Sequence, residues 1–98
     1  MGRKKRLLLL ILVLLSFSLS GCYYYAARNE IKGAEKLLSD LKAQDGPKLV
    51  PYEYTSAEKF LEISRMEFDE YDYKQSKVFA GRSKSAAETG LAEVKKKK

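Results

Sequence analysis

Histidine is missing from this 98-residue chain, and cysteine occurs once. Without histidine the usual general base of enzyme active sites is gone, and one cysteine leaves almost no way to build a zinc site. A single cysteine also excludes an intramolecular disulfide, which is unusual for an exported protein unless that residue has another role. We therefore expect no enzyme, no bound metal and no cofactor, and at most one small domain.

Two sequence patterns resemble catalytic or metal motifs but are incomplete. Ser39–Lys42 and Ser56–Lys59 have the Ser-x-x-Lys spacing of penicillin-interacting enzymes, without the companion Ser-Asp-Asn or Lys-Thr-Gly elements. The acidic residues Asp69, Glu70 and Asp72 lack the loop glycine and the distal glutamate of an EF-hand. We interpret the first pattern as chance and the second as capping of a turn between helices.

The net charge of +6 is carried by the two ends of the chain. Four positive charges lie in Arg3 to Arg6 and four in Lys95 to Lys98, and between Cys22 and Val94 acidic residues slightly outnumber basic ones. A nucleic-acid-binding domain would concentrate basic residues on its folded part, so we expect no nucleic-acid partner. We expect residues 95–98 to be a disordered tail; contact with anionic lipid or cell-wall polymer, or covalent attachment of Lys98 to peptidoglycan, are alternatives.

Residues 1–21 have the order of an export signal. The basic run Arg3 to Arg6 precedes the apolar run Leu7 to Leu15, and small residues follow at Ser20 and Gly21. The apolar run, even extended by Phe17 and Leu19, is shorter than the roughly 18 to 20 residues of a stable transmembrane helix. We therefore predict a cleaved signal peptide.

The tetrapeptide Leu19-Ser20-Gly21-Cys22 resembles the lipobox of bacterial lipoproteins. The resemblance implies that the peptidase recognises Leu19, Ser20 and Gly21, and that Cys22 carries the lipid anchor. Two or three acyl chains then give stable attachment to the membrane. By the sorting rule of such lipoproteins, Tyr23 indicates the periplasmic face of the outer membrane. A secretory signal cut elsewhere, and an uncleaved anchor helix continuing through Tyr25, are the alternatives.

The chain after Cys22 has helical periodicity. The first predicted helix runs from about Tyr24 to Gln44, with one apolar face formed by Ala27, Ile31, Ala34, Leu38 and Leu41. Gly46 is predicted to adopt the left-handed conformation of a helix C-cap, and residues 48–50 are predicted to be an extended link. Tyr23, Tyr24 and Tyr25 are predicted to lie among lipid headgroups.

Two further helices are predicted to form a hairpin over residues 51–94. The second starts at Pro51 and has a broad apolar stripe, which predicts that it is the centre of the molecule: Ala57, Phe60, Leu61, Ile63, Ser64, Phe68 and Tyr71. The third starts near Asp72, with Gln75 completing a capping box, and has a face of mostly small residues: Ser76, Phe79, Ala80, Ser83, Ala87, Gly90, Leu91 and Val94. The expected fold is all-α, with two or three antiparallel helices and no sheet.

Residues 50–93 resemble the DUF4398 family of small bacterial envelope lipoproteins. The resemblance rests on Pro51-Tyr52-Glu53-Tyr54-Thr55 before Ala57, Glu58 and Leu61, on the turn Tyr71-Asp72-Tyr73, and on Ala80. It implies a helical hairpin similar to a tetratricopeptide repeat. The family has no agreed activity, and this chain has serine at positions 64, 76 and 83 where the family pattern leads us to expect alanine.

These observations favour a membrane-anchored interaction or scaffold module of the cell envelope. Its expected partners are the membrane, through Cys22, and another envelope protein or a second copy, with no small-molecule substrate. Tyr52, Tyr54, Tyr71 and Tyr73 are the predicted partner surface, although burial of their rings also explains them. The alternative is a spacer that contacts peptidoglycan or another anionic polymer through the Lys tail.

Overall fold

The computed structural model describes residues 2–98, except for the side chains of residues 16–21. The described residues form four helices: α1 (Gly2–Ala43), α2 (Gly46–Leu49), α3 (Pro51–Asp69) and α4 (Tyr73–Lys97). No strand occurs among the described residues. The all-α fold class predicted from the sequence is confirmed.

Helix α4, and not α3, is the centre of the bundle. It packs extensively along both α3 and α1, whereas α1 and α3 share a shorter contact. The reason is the small size of its buried side chains, which lets two helices approach closely. The buried positions of α4 are Ser76, Ala80, Ser83, Ala87, Gly90 and Val94. The prediction that the second predicted helix is central was therefore wrong. The small side chains of α4 mattered more for the packing than the broad apolar stripe of α3.

The core is formed by the faces that the periodicity predicted. Ala27, Ala34 and Leu41 of α1 and Ala57, Leu61 and Ser64 of α3 are buried. Leu41, Val50 and Val94 form the main apolar cluster, at the end of the bundle where α1 and α4 finish and α3 begins. Tyr71 is an exception to the predicted stripe: α3 ends at Asp69, so Tyr71 lies in the following turn and is exposed.

The segment between α1 and α3 differs from its prediction in two ways. Asp45, and not Gly46, takes the left-handed conformation, with φ of 63°. Gly46 is required for space instead, because a Cβ there would lie 2.6 Å from the carbonyl oxygen of Leu41. The link predicted as extended is mostly a short helix, α2, whose first turn accommodates Pro47.

The turn between α3 and α4 contains half of the predicted capping box. The Asp72 carboxylate accepts a hydrogen bond from the Gln75 backbone N–H at 3.1 Å. The Asp72 backbone N–H donates to the Glu67 carbonyl at 2.9 Å, so the reciprocal bond expected from the Gln75 side chain is not made. The predicted start of this helix is correct, and its cap is a simple Asp cap.

The Lys tail, for which the sequence predicts a disordered end, is helical in the structure as far as Lys97. The Lys97 ammonium donates to the Leu49 carbonyl at 2.7 Å, and the Lys98 ammonium donates to the Gln44 side-chain oxygen at 3.0 Å. Cations at a helix C-terminus also interact favourably with the helix dipole, which explains why the lysines continue the helix.

Helix α1 is longer than predicted and extends beyond the bundle. It runs without a break from Gly2, where the periodicity predicted a start near Tyr24, and its 42 residues span about 63 Å. Leu7 to Leu15 are all exposed, and the molecule measures 71 × 20 × 14 Å. Among the described residues, no helix is both long and apolar enough to cross a membrane.

Candidate functional site: the Cys22 end of the bundle and the α3/α4 groove

Cys22 lies where α1 leaves the bundle. Its thiol is free and exposed. Two residues later, Tyr24 packs onto α3 and α4, so Cys22 is at the edge of the folded part. The predicted peptidase-recognition residues Leu19, Ser20 and Gly21 have side chains outside the described part of the structure. The Cys22 sulfur is therefore accessible for the attachment of a group.

An aromatic cluster of Tyr24, Phe68 and Tyr73 closes this end of the bundle. The Tyr24 ring centroid lies 5.4 Å from that of Phe68 and 5.2 Å from that of Tyr73. The Phe68 and Tyr73 centroids are 5.1 Å apart, and the edge-to-face geometry of Tyr73 with both rings is favourable. Tyr24 therefore packs on the bundle, and its predicted place among lipid headgroups stays a prediction. Its neighbours Tyr23 and Tyr25 are exposed.

The four tyrosines predicted as a partner surface lie at two separate ends of α3. Tyr52 is at the start of the helix and 79% exposed, and Tyr71 follows its end and is 80% exposed. Helix α3 has 19 residues, so about 28 Å separates the two ends. Tyr54 and Tyr73 are half-buried. The structure does not bring the four side chains together into one surface.

Tyr54 belongs to the core cluster rather than to a surface patch. It packs against the cluster of Leu41, Val50 and Val94. Burial raises the pKa of its hydroxyl above the usual value, and the neighbouring Glu58 carboxylate, which accepts a hydrogen bond from that hydroxyl, raises the pKa further. The hydroxyl thus remains protonated in the folded protein.

An open apolar groove of about 540 Å³ lies between α3 and α4. Tyr52 and Phe60 line it from α3, and Val78 and Arg82 line it from α4. The Arg82 guanidinium carbon is 5.1 Å from the centroid of the Phe79 ring, which stacks on Phe60 at 6.3 Å. Sequence reasoning missed Val78 and Arg82, although their i, i+4 spacing places both on one helix face beside Phe79.

A seam of buried serines joins α3 to α4. The Ser64 hydroxyl donates to the Ser76 carbonyl at 2.6 Å, and the Ser76 hydroxyl donates back to the Ser64 carbonyl at 2.8 Å. The Ser83 hydroxyl donates to the Ala57 carbonyl at 2.6 Å. These are the three positions where the family resemblance predicts alanine, and each side chain adds a hydrogen bond between the helices.

The residues of the incomplete chemical motifs have ordinary structural roles. The Lys59 ammonium forms an ion pair with Glu62 at 3.5 Å, and Ser56 lines the groove. The Asp72 carboxylate of the acidic group caps α4. Within the described part of the chain, no group of three or more His, Cys, Asp or Glu residues is placed to hold a metal ion.

The end of the bundle opposite Cys22 carries half of the lysines outside the signal region. The C-terminal ends of α1 and α4 meet there, with Lys42, Lys48 and Lys95 to Lys98. Glu93 pairs with Lys96 at 3.4 Å. Positive charge is therefore concentrated at the end of the bundle opposite the aromatic cluster. The length of α4, about 37 Å, separates the two ends.

Comparison with protein-family models, curated proteins and solved structures finds no match to this chain. The resemblance of residues 50–93 to the DUF4398 family therefore stays a prediction from the motifs.

Proposed function

We propose that this protein is a membrane-anchored bacterial lipoprotein whose helical bundle serves as an interaction or scaffold module in the cell envelope. The observation that carries the proposal is the junction at Cys22. On one side of it lies a helix with an exposed apolar run, and on the other lies a packed bundle. That arrangement suits an export and anchoring segment attached to a folded module, with the lipid attached at Cys22 on the periplasmic face of the outer membrane.

The α3/α4 groove supports the interaction role. Tyr52 and Val78 expose apolar surface along it, and Ile63 adds apolar surface to an adjoining concave surface of α3 that Tyr52 and Phe60 also line. Aromatic and arginine side chains such as Phe60 and Arg82 are enriched at protein interfaces, where they contribute much of the binding free energy. An exposed apolar groove beside such residues is suited to binding another envelope protein or a second copy of the chain.

The alternative function is a spacer that contacts peptidoglycan or another anionic polymer. It is favoured by the position of the lysines at the end opposite Cys22, where they face away from the anchored membrane. Lys97 and Lys98 also bind the α1–α3 connection, so their charge is held at a fixed place. The two functions predict different effects of mutation. A substitution in the groove should disrupt binding to a protein partner, and removal of the four terminal lysines should disrupt contact with the polymer.

The anchor is tested by intact mass and flotation of the wild-type chain beside Cys22→Ala. We expect the wild type to begin at an acylated Cys22 and to float with outer membranes, and the variant to lose the lipid mass. An unacylated protein that separates from membranes would refute the anchor.

The interaction role is tested by photo-crosslinking in cells. A photoreactive amino acid at Val78 reports on the groove, and the same amino acid at Asn29, an exposed residue of α1, is the control. We expect a discrete protein crosslink from position 78 only. Equal crosslinking from both positions, or crosslinks only to cell-wall fragments, would contradict the interaction role, and the second result would favour the spacer.

A further inference from the structure

Tyr71 has an unusual backbone conformation for a large side chain. Its φ is 65°, in the left-handed region that glycine and asparagine occupy at lower cost. The side chain gains little burial in return, since 80% of the residue is exposed. Its contact within the fold is an edge-to-face approach to Tyr73 at 6.4 Å. The fold alone therefore gives a weak reason for an aromatic ring here.

Tyr71 lies at the end of the molecule where the lipid anchor is proposed. Tyr71 and Tyr23 line the same concave surface, so the α3–α4 turn lies beside α1 just after Cys22. Tyr25 is also exposed at this end. Three exposed tyrosine side chains therefore lie at the end of the bundle where Cys22 is found. Tyrosine is enriched at membrane surfaces, because its ring suits the apolar side of the headgroup layer and its hydroxyl suits the polar side.

We propose that the α3–α4 turn is a second membrane contact, in which the Tyr71 ring enters the headgroup layer beside Tyr23 and Tyr25. The inference rests on the proposed anchoring of this end at Cys22, next to which Tyr23 lies in the chain. Two contacts, one on α1 and one on the turn, fix the orientation of the bundle. The α3/α4 groove then faces sideways along the membrane, and the Lys-rich end faces away from it.

The charges around the turn define the kind of lipid surface. Asp69, Glu70 and Asp72 flank Tyr71, with Lys74 as the nearby cation. These carboxylates disfavour an attraction to anionic headgroups, so the contact depends on burial of the ring and suits zwitterionic lipid. It is therefore expected to be insensitive to salt, unlike binding through a basic patch.

The chain contains no tryptophan, so a single substitution gives an unambiguous fluorescent reporter. The test variant is Tyr71→Trp and its matched control is Tyr52→Trp, because both positions are equally exposed but lie at opposite ends of α3. The mature acylated proteins, purified from membranes, are reconstituted in phosphatidylcholine vesicles with and without brominated acyl chains. Circular dichroism confirms that both variants retain the wild-type helix content.

We expect the Tyr71→Trp emission to shift to shorter wavelength and to lose at least half its intensity with brominated lipid, at low and at high salt. The Tyr52→Trp emission should resemble tryptophan in water and be quenched several-fold less. Failure of either variant to float with the vesicles would refute the proposed anchor and this inference with it. Flotation with no quenching at position 71 would refute the inference alone. Equal quenching at both positions, or quenching that needs anionic lipid and disappears in salt, would also overturn it.

Discussion

Gly90 lies where α4 faces the side chain of Leu41, and replacing it with alanine tests how closely the central helix must approach its neighbours. A Cβ at position 90 would lie 2.8 Å from Leu41 Cδ2 and 3.2 Å from Glu53 Cβ. Leu41 is fully buried and also faces Gly46 on its other side, so it has little room to move.

The expected magnitude follows from two opposing terms. Replacing glycine with alanine inside a helix stabilises it by about 1 kcal/mol, while forcing a methyl group into a packed core costs about 1–3 kcal/mol. Gly81, in the same helix, is the matched control, because a Cβ there meets only Glu30 Oε2 at 3.8 Å. Gly81→Ala should therefore stabilise the protein by about 1 kcal/mol, and Gly90→Ala should be less stable than Gly81→Ala by about 1–3 kcal/mol.

The assay is urea unfolding of each variant, purified as the mature protein in mild detergent and monitored by circular dichroism, with equal m-values required for comparison. A Leu41→Val substitution removes the atom nearest to the new methyl group. Its combination with Gly90→Ala should therefore be more stable than the sum of the single effects predicts. If Gly90→Ala matches Gly81→Ala in stability, the close approach of α1 and α4 at this point is refuted.

Three further predictions concern single side chains. Ser83→Ala should lower the free energy of unfolding by about 1 kcal/mol, through loss of the bond to the Ala57 carbonyl, while Ser85→Ala on the exposed face should change it little in the same urea assay. Tyr54 has a raised pKa in the folded state, so its contribution to stability is present below the unfolded value of about 10 and is lost as the pH rises through the folded pKa. Tyr54→Phe should therefore show a shallower loss of stability in urea titrations above that pH, and an unchanged slope would contradict the burial of the hydroxyl. Tyr71→Gly should raise the unfolding free energy by about 1 kcal/mol by relieving the left-handed backbone, and a decrease in stability would show that the ring contributes more to the fold than the conformation costs.

The sequence alone predicted the three packed helices of the bundle and most of their buried faces, because a helix that packs on a core repeats its apolar residues with the helical period. The Asp72 cap and the start at Pro51 were also predictable, since both depend on residues adjacent in the chain. The lipid attachment at Cys22 is likewise a prediction from local motifs, and the structure adds the exposure of that residue.

Only the tertiary structure decided which helix is central and what the serines do. The role of α4 depends on how closely two other helices approach its small residues, and that distance is not encoded in any one segment. Ser64, Ser76 and Ser83 reach carbonyl groups 12 or more positions away in the chain, so their hydrogen bonds exist only after packing. Tyr52 and Tyr71 have similar sequence surroundings, but they lie at opposite ends of α3. The fold places Tyr71 near Cys22 and Tyr52 at the other end of the bundle.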